Sequence, residues 1–352
     1  MQPSHGGTPV DSLSALKTPL MPRYLTSERL VSHFVSPILG LLSEPQLSQA
    51  DGKLPGIICF GGSEGGLYPA MTRYLASHGA VTLTVAYLSH QSHIPSAFSN
   101  ISTMAGADEA KRKWDELPQN ATMISLERFE EPIKFLQEHP QVDPRKIVVT
   151  GTSYGGMLTL ALAAHFRESF AAAAAWVPNS CVLQGTLRKP RQLATAGEKE
   201  QLATETMFSI EGKNYPRNGY ISPSPGADIH RARIPVENIT VPVFAVSGEK
   251  DPTWYRLDPT KPLPDNLNAE AIGRSIRGHK ADDRDFFKNY PDNGHCFLPH
   301  ELVLSDCNIY QSRYEDWYPR AREGSGGKDE QAIMAAAADA WSEFWQFFRR
   351  VC

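Results

Sequence analysis

The stretch Val148-Val149-Thr150-Gly151-Thr152-Ser153-Tyr154-Gly155-Gly156-Met157-Leu158 decides how this chain is read. A short β-branched run enters Gly-x-Ser-x-Gly, and a run of small residues leaves it. A strand, a tight turn and a helix in that order form a nucleophile elbow. The serine of such a turn is held in a strained conformation, with its hydroxyl exposed at the end of the strand. Gly151 and Gly155 belong to the pattern because a Cβ at either position would collide with the neighbouring strand or helix. Ser153 is therefore the candidate nucleophile for acyl chemistry. An acid and a histidine must follow it, in that order, and backbone donors must be found for an oxyanion.

The acid should lie just past a late strand. Val243-Phe244-Ala245-Val246 reads as that strand, and Ser247-Gly248-Glu249-Lys250-Asp251-Pro252 follows it. Asp251 is the candidate, with Glu249 second. Its work would be to hold an imidazole in one tautomer and stabilise the imidazolium. Of the 11 histidines, His295 lies in the turn-rich run Tyr290-Pro291-Asp292-Asn293-Gly294-His295-Cys296-Phe297, ahead of the last helix. That setting suits a general base. His78 and His139 end helices, where a cation favours the dipole. His90 and His93 fall in a polar insertion.

An oxyanion hole needs backbone N–H groups aimed at the developing charge. One is expected from Tyr154, directly after the nucleophile. The other is expected from Phe60-Gly61-Gly62-Ser63-Glu64-Gly65-Gly66-Leu67, with Gly62 or Ser63 as donor. The glycines let backbone approach a substrate closely. Neither Gly-x-Gly-x-x-Gly nor Gly-Lys-Ser/Thr occurs there, which argues against a phosphate loop.

Around these motifs the pattern alternates. Gly56–Phe60 and Val81–Ala86 read as buried strands, Ala70–Ser77 as a helix. Leu126, Phe129, Ile133 and Leu136 share one helical face, with Pro132 implying a kink or a late start. Asp143-Pro144 reads as a turn before the strand Ile147–Thr150. Gly155–Phe166 reads as a helix with Met157, Leu160, Ala161 and Ala164 on its buried side. Ala172–Trp176 and Val241–Val246 are further strands. Trp341, Phe344, Trp345 and Phe348 recur at helical spacing near the end. Strands alternating with helices predict a mostly parallel, doubly wound α/β sheet. The expected organisation is a flexible lead over residues 1–24, two short apolar runs between Glu28 and Leu42 that suit a hairpin, and one domain over 25–352. Two polar insertions, 89–122 and 181–238, interrupt the domain and read as lids.

With 352 residues and 41% hydrophobic content the chain can bury a large core. A net charge of −4 gives no reason to expect nucleic acid as a partner. No apolar run is long enough for a membrane span. The first residues lack the order of a secretory signal, and Arg350-Val351-Cys352 matches no peroxisomal or prenylation address. The 5 cysteines are widely spaced and contain no CxxC, which excludes a zinc pattern and a disulfide framework and favours a reducing, cytoplasmic compartment. Cys59 reads as a small apolar filler. No cofactor or metal is expected. The oligomeric state is left open, with a homodimer allowed.

Several ordered blocks resemble the acyl-CoA thioesterase / bile acid-CoA:amino acid N-acyltransferase family. They are Phe60–Gly66 followed by Leu75-Ala76-Ser77-His78-Gly79-Ala80, then Leu126-Glu127-Arg128-Phe129, Val142–Ile147, Ile234-Pro235-Val236-Glu237, Ser247–Asp251, Tyr290–His295 and the Ala-rich, Trp-containing terminal helix. The resemblance spans roughly residues 25 to 350. It implies an α/β-hydrolase fold, Ser153, Asp251 and His295 as a triad, and acyl thioester or ester substrates. Long members of the family carry an N-terminal β-sandwich domain, whereas a short lead is expected here. The amino-acid acyltransferases use a cysteine nucleophile. Serine at 153 favours hydrolysis. Segments 89–122 and 181–238 diverge from the family, so acyl specificity is not implied. The leading expectation is hydrolysis of acyl-CoA or carrier-bound thioesters, or of esters, through an acyl-enzyme. Acyl transfer or cyclisation on the same site, ester or lactone hydrolysis of a secondary metabolite, and a non-catalytic binding protein of this fold are the alternatives.

Overall fold

The computed structural model describes residues 30–35, 39–46, 52–63, 65–89, 106–182, 185, 195–215, 233–249, 251, 268–280, 282–291, 293–295, 297, 299 and 330–352. The expected lead over 1–24 and the histidines His90 and His93 lie outside them.

The strands are β1 (Leu30–Val35), β2 (Gly40–Pro45), β3 (Leu54–Phe60), β4 (Val81–Val85), β5 (Ile124–Ser125), β6 (Val142–Thr152), β7 (Ala172–Trp176), β8 (Phe208–Ile210), β9 (Lys213–Tyr215), β10 (Val243–Gly248) and β11 (Phe286–Tyr290). The α-helices are α1 (Pro69–Ser77), α2 (Ala107–Asp115), α3 (Glu130–Glu138), α4 (Tyr154–His165), α5 (Ala196–Thr204), α6 (Ala269–Arg277) and α7 (Glu330–Val351). Eight strands form one sheet in the order β1-β2-β4-β3-β6-β7-β10-β11. The pairs β1–β2 and β2–β4 are antiparallel, and every pair from β4 to β11 is parallel. This is the α/β-hydrolase architecture, and the apolar runs on either side of residue 38 form its antiparallel edge.

Alternation along the strands sorts the core into two faces. Ile58 and Phe60 of β3 join Val149, Ala173, Ala175 and Val243 with the buried sides of α3, α4 and α6. Ile57 and Cys59 join Val148, Ala172, Ala174, Phe244 and Val246 with Tyr74 and Leu75 of α1 and the aromatic face of α7. Strand β7 is four alanines and Trp176, and on this second face Trp341 and Phe344 of α7 pack against that tryptophan. Cys59 fills a gap in that face, and burial pushes its thiol up to about 12.

Three local readings change. Leu126–Phe129 is a 3-10 turn, and α3 begins only at Glu130. Pro132 thus falls in the first turn of the helix, where a missing N–H costs little. Strand β6 includes Asp143-Pro144, where the sequence predicts a preceding turn. The register jumps there, with Leu54 opposite Val142 but Gly56 opposite Ile147, so residues 143–146 bulge out of the ladder. Helix α4 is buried on all sides from Gly155 to Ala164 rather than along one stripe. It shares one core cluster with Phe208, Ile210, Tyr215 and Val236 of the second insertion, and with Ile239 just after it. Within that insertion β8 pairs in parallel with β5 and antiparallel with β9, making a separate three-stranded sheet. The Thr122 hydroxyl donates to Glu205 at 2.7 Å and ties the two insertions together.

Candidate active site

Strand β6 delivers the chain to Ser153, which adopts φ 57° and ψ −117°. A non-glycine residue rarely takes a positive φ, and such strain collects at functional sites. The surroundings hold it there. The Ser153 N–H donates to the Trp176 carbonyl at 2.9 Å, and the Ser153 carbonyl accepts from Met157 at 3.0 Å as the first bond of α4. A Cβ on Gly151 would stand 2.4 Å from the Gly155 carbonyl oxygen. A Cβ on Gly155 would stand 2.3 Å from the Gly61 carbonyl oxygen. The turn therefore closes only with glycine at both positions. Ser153 also caps the N-terminus of α4, whose dipole favours negative charge beside it.

His295 bridges the other two candidates. Its Nε2 is 2.8 Å from Ser153 Oγ, and its Nδ1 is 2.6 Å from Asp251 Oδ2. Asp251 is 1% exposed, and the His295 side chain 13%. A buried carboxylate on Nδ1 fixes the tautomer that leaves Nε2 able to take a proton. Residues 153, 251 and 295, spread over more than 140 positions, thus meet at the carboxyl ends of β6, β10 and β11. Glu249, the second candidate acid, is exposed, and its N–H donates to the Tyr290 carbonyl at 3.0 Å. The two loops are locked to each other. Asn293 is buried, donates its N–H to the Tyr290 carbonyl at 3.3 Å, and accepts the Gly294 N–H on its own Oδ1 at 2.9 Å.

Tyr154 opens α4, and Gly62 and Ser63 lie in the loop after β3. The loop carbonyls are turned inward. The Tyr87 hydroxyl donates to the carbonyls of Gly61 and Gly62 at 2.9 and 2.7 Å. The Gly62 N–H meets the Tyr68 hydroxyl at 3.3 Å. Neither tyrosine was singled out from the sequence, because nothing in the local pattern says that a side chain five or more residues away folds back on the loop. Among the described residues no group of three or more His, Cys, Asp or Glu is placed to hold a metal, and no helix is long and apolar enough to cross a membrane.

A family model described as BAAT / Acyl-CoA thioester hydrolase C terminal matches residues 124–352. The chain belongs to that family. A second model, the dienelactone hydrolase family, matches residues 40–204, the half that carries β2 to α4. Among curated relatives of this BAAT/thioester hydrolase member, human acyl-coenzyme A thioesterase 6 is 23% identical over 306 residues, which is 85% of this chain and 61% of the relative. The mouse protein of the same name is 25% identical over 304 residues, 86% of this chain and 61% of the relative. Mouse acyl-coenzyme A amino acid N-acyltransferase 1 is 25% identical over 354 residues, 97% of this chain and 72% of the relative. The chain thus spans about three fifths of the length of the thioesterases it matches. Among solved structures, a dienelactone hydrolase from Klebsiella pneumoniae subsp. pneumoniae aligns with a TM-score of 0.48 and 16% identity, over 91% of this chain and 98% of that one.

Proposed function

We propose that this protein is a serine hydrolase of acyl thioesters, acyl-CoA or carrier-bound, with carboxylic esters as the related substrate class. The observation that carries the reading is the pair of contacts on one imidazole, Ser153 Oγ at 2.8 Å and Asp251 Oδ2 at 2.6 Å. The acyl-CoA thioesterases among its relatives support the thioester preference. His295 Nε2 takes the Ser153 proton as Oγ attacks the carbonyl carbon. Asp251 stabilises the imidazolium that results. Backbone N–H groups at Tyr154 and at Gly62 or Ser63 receive the oxyanion, helped by the α4 dipole. Collapse of the tetrahedral intermediate expels the thiol or alcohol, which recovers the proton from His295. A water deprotonated by the same histidine then releases the acid. We assign the selection of the acyl group to the two insertions, 89–122 and 181–238, read as lids from the sequence. The wide spacing of the cysteines supports a cytoplasmic setting.

The test pairs labelling with turnover. A serine-directed fluorophosphonate should modify the wild-type protein once and leave Ser153→Ala unmodified. Release of free thiol from acyl-CoA should fall by about 10³-fold or more in that variant. Full activity in Ser153→Ala on both acyl-CoA and aryl esters sinks the reading.

A further inference from the structure

The loop after β3 presents an arrangement that the backbone alone does not explain. Tyr87, 2% exposed, holds the carbonyls of Gly61 and Gly62 from beneath. The Gly62 carbonyl also accepts the Gly65 N–H at 3.0 Å. With its carbonyl engaged inward, the Gly62 peptide has its N–H on the Tyr68 oxygen, at 3.3 Å. Such a contact is long for an N–H···O bond, whose usual length is about 2.9–3.0 Å. It can be exchanged at little cost.

A phenol oxygen that accepts a hydrogen bond still has a proton to give. Among the described residues no acceptor takes it. The Tyr68 backbone, in contrast, is anchored, its carbonyl accepting both the N–H and the hydroxyl of Thr72 at 2.9 and 2.6 Å. The ring lies against the Gly61 backbone, where a Cβ would fall 1.9 Å from Cε2 and 2.8 Å from the hydroxyl. Gly61 in turn abuts the elbow, since a Cβ on Gly155 would strike the Gly61 and Phe60 carbonyl oxygens at 2.3 and 2.7 Å. The half-buried phenol, the glycine loop and the turn that carries Ser153 are therefore consecutive layers of one packed unit.

We propose that the Tyr68 hydroxyl is a side-chain donor of the oxyanion hole, alongside the backbone N–H groups. In the free enzyme it accepts the Gly62 N–H. When an acyl carbonyl oxygen takes that N–H, the phenol turns its own proton to the same oxygen, keeping the proton throughout. The donor acts on charge that grows during attack on the thioester or ester carbonyl, so it lowers the barrier more than it tightens ground-state binding. Its position also explains why residue 61 is glycine: any side chain there would displace the ring. The proposal rests on Ser153 as the nucleophile.

The experiment compares wild type, Tyr68→Phe and Ser153→Ala, with turnover of the first two normalised to the sites titrated by a fluorophosphonate and that of Ser153→Ala to the concentration of protein shown folded by circular dichroism. Loss of one oxyanion-hole donor costs up to about 10²–10³ in kcat, and here backbone donors remain. Tyr68→Phe should therefore lose about 10–100-fold in kcat with KM within about twofold. Its affinity for a trifluoromethyl ketone, which forms a tetrahedral oxyanion adduct on the serine, should weaken by the same factor as kcat/KM. Wild-type kcat and unchanged ketone affinity in Tyr68→Phe, with Ser153→Ala inactive, overturn the role of Tyr68 alone. A faster Tyr68→Phe also overturns it, making the phenol a stopper on Gly62. Full activity in Ser153→Ala overturns the underlying assignment of the nucleophile.

Discussion

Gly248 and Gly294 press against each other at the junction of the acid loop and the histidine loop. A Cβ on Gly248 would fall 2.2 Å from the Gly294 carbonyl oxygen and 2.3 Å from that of Asn293. Both obstacles are backbone, so neither can rotate away. Gly248 ends β10 three residues before Asp251, and Gly294 immediately precedes His295. Gly248→Ala should push the two loops apart and lengthen the 2.6 Å contact between Asp251 and His295. A misplacement of about 1 Å costs about 10² in rate. We expect at least that loss in kcat, with slower fluorophosphonate labelling of Ser153. Wild-type turnover in this variant would show that the loops can yield.

Tyr87→Phe removes one hydroxyl that serves two carbonyls in a buried place. Unsatisfied buried acceptors cost about 1–3 kcal/mol. Chemical denaturation should report a stability loss of that size. Turnover should drop by about tenfold, because the Gly61–Gly62 peptides lose their fixed orientation. A loss of stability without any loss of turnover would mean that the glycine loop takes no part in the chemistry.

The terminal helix reaches the site through a tryptophan. Trp341 stacks on Trp176 with ring centroids 4.2 Å apart, and its Nε1–H donates to the Phe297 carbonyl at 2.8 Å, two residues beyond His295. Trp341→Ala should destabilise by about 3–5 kcal/mol. Trp341→Phe keeps much of the stacking and loses the hydrogen bond, so it should lower kcat more than it lowers stability. Denaturation midpoints measured beside kcat separate the two effects. Equal kcat in wild type and Trp341→Phe would remove α7 from any role in holding the histidine loop.

Acid should weaken the packing of β2 near the antiparallel end of the sheet. Glu44 Oε2 lies 3.2 Å from His139 Nε2, with both side chains mostly buried. The hydrogen bond from His139 holds the Glu44 carboxyl below its ordinary value of 4.5, with burial opposing and the charges of His139 and His33 adding to the effect. A depressed carboxylate stabilises the fold above its unfolded pKa, and that contribution disappears as pH falls through the folded value. Melting temperature should therefore decline below about pH 4.5, and the decline should be shallower in Glu44→Gln. Parallel acid limbs in the two proteins would show that the pair has no such linkage.

The candidate site positions were legible because each sits in a short motif with a local cause. Gly151 and Gly155 frame Ser153 since the turn allows no Cβ there, and Asp251 follows a β-branched and apolar run that could only be a buried strand. Gly294-His295 stands out as a turn before an amphipathic helix. The sheet followed from the same alternation. Pro132 was harder, because a proline is compatible with a kink or with a first turn, and only packing chooses. Asp143-Pro144 reads as a turn in the sequence since the bulge that contains it arises from pairing with β3, a strand almost ninety residues earlier. Helix α4 looked one-sided because some members of its core cluster, Phe208 and Tyr215 among them, come from an insertion with no periodicity of its own.

The amino-acid order by itself determined most strands of the main sheet, the order of the candidate nucleophile, acid and base, and the family. These depend on contacts within a few residues, where hydrogen bonding and steric exclusion act directly on the motif. Tertiary structure alone decided which carboxylate meets His295, that Tyr87 holds the glycine loop, and that Tyr68 stands on the Gly62 N–H. Those relations join side chains brought together by the parallel sheet and by backbone contacts at glycines, and distance in three dimensions is not written in local sequence.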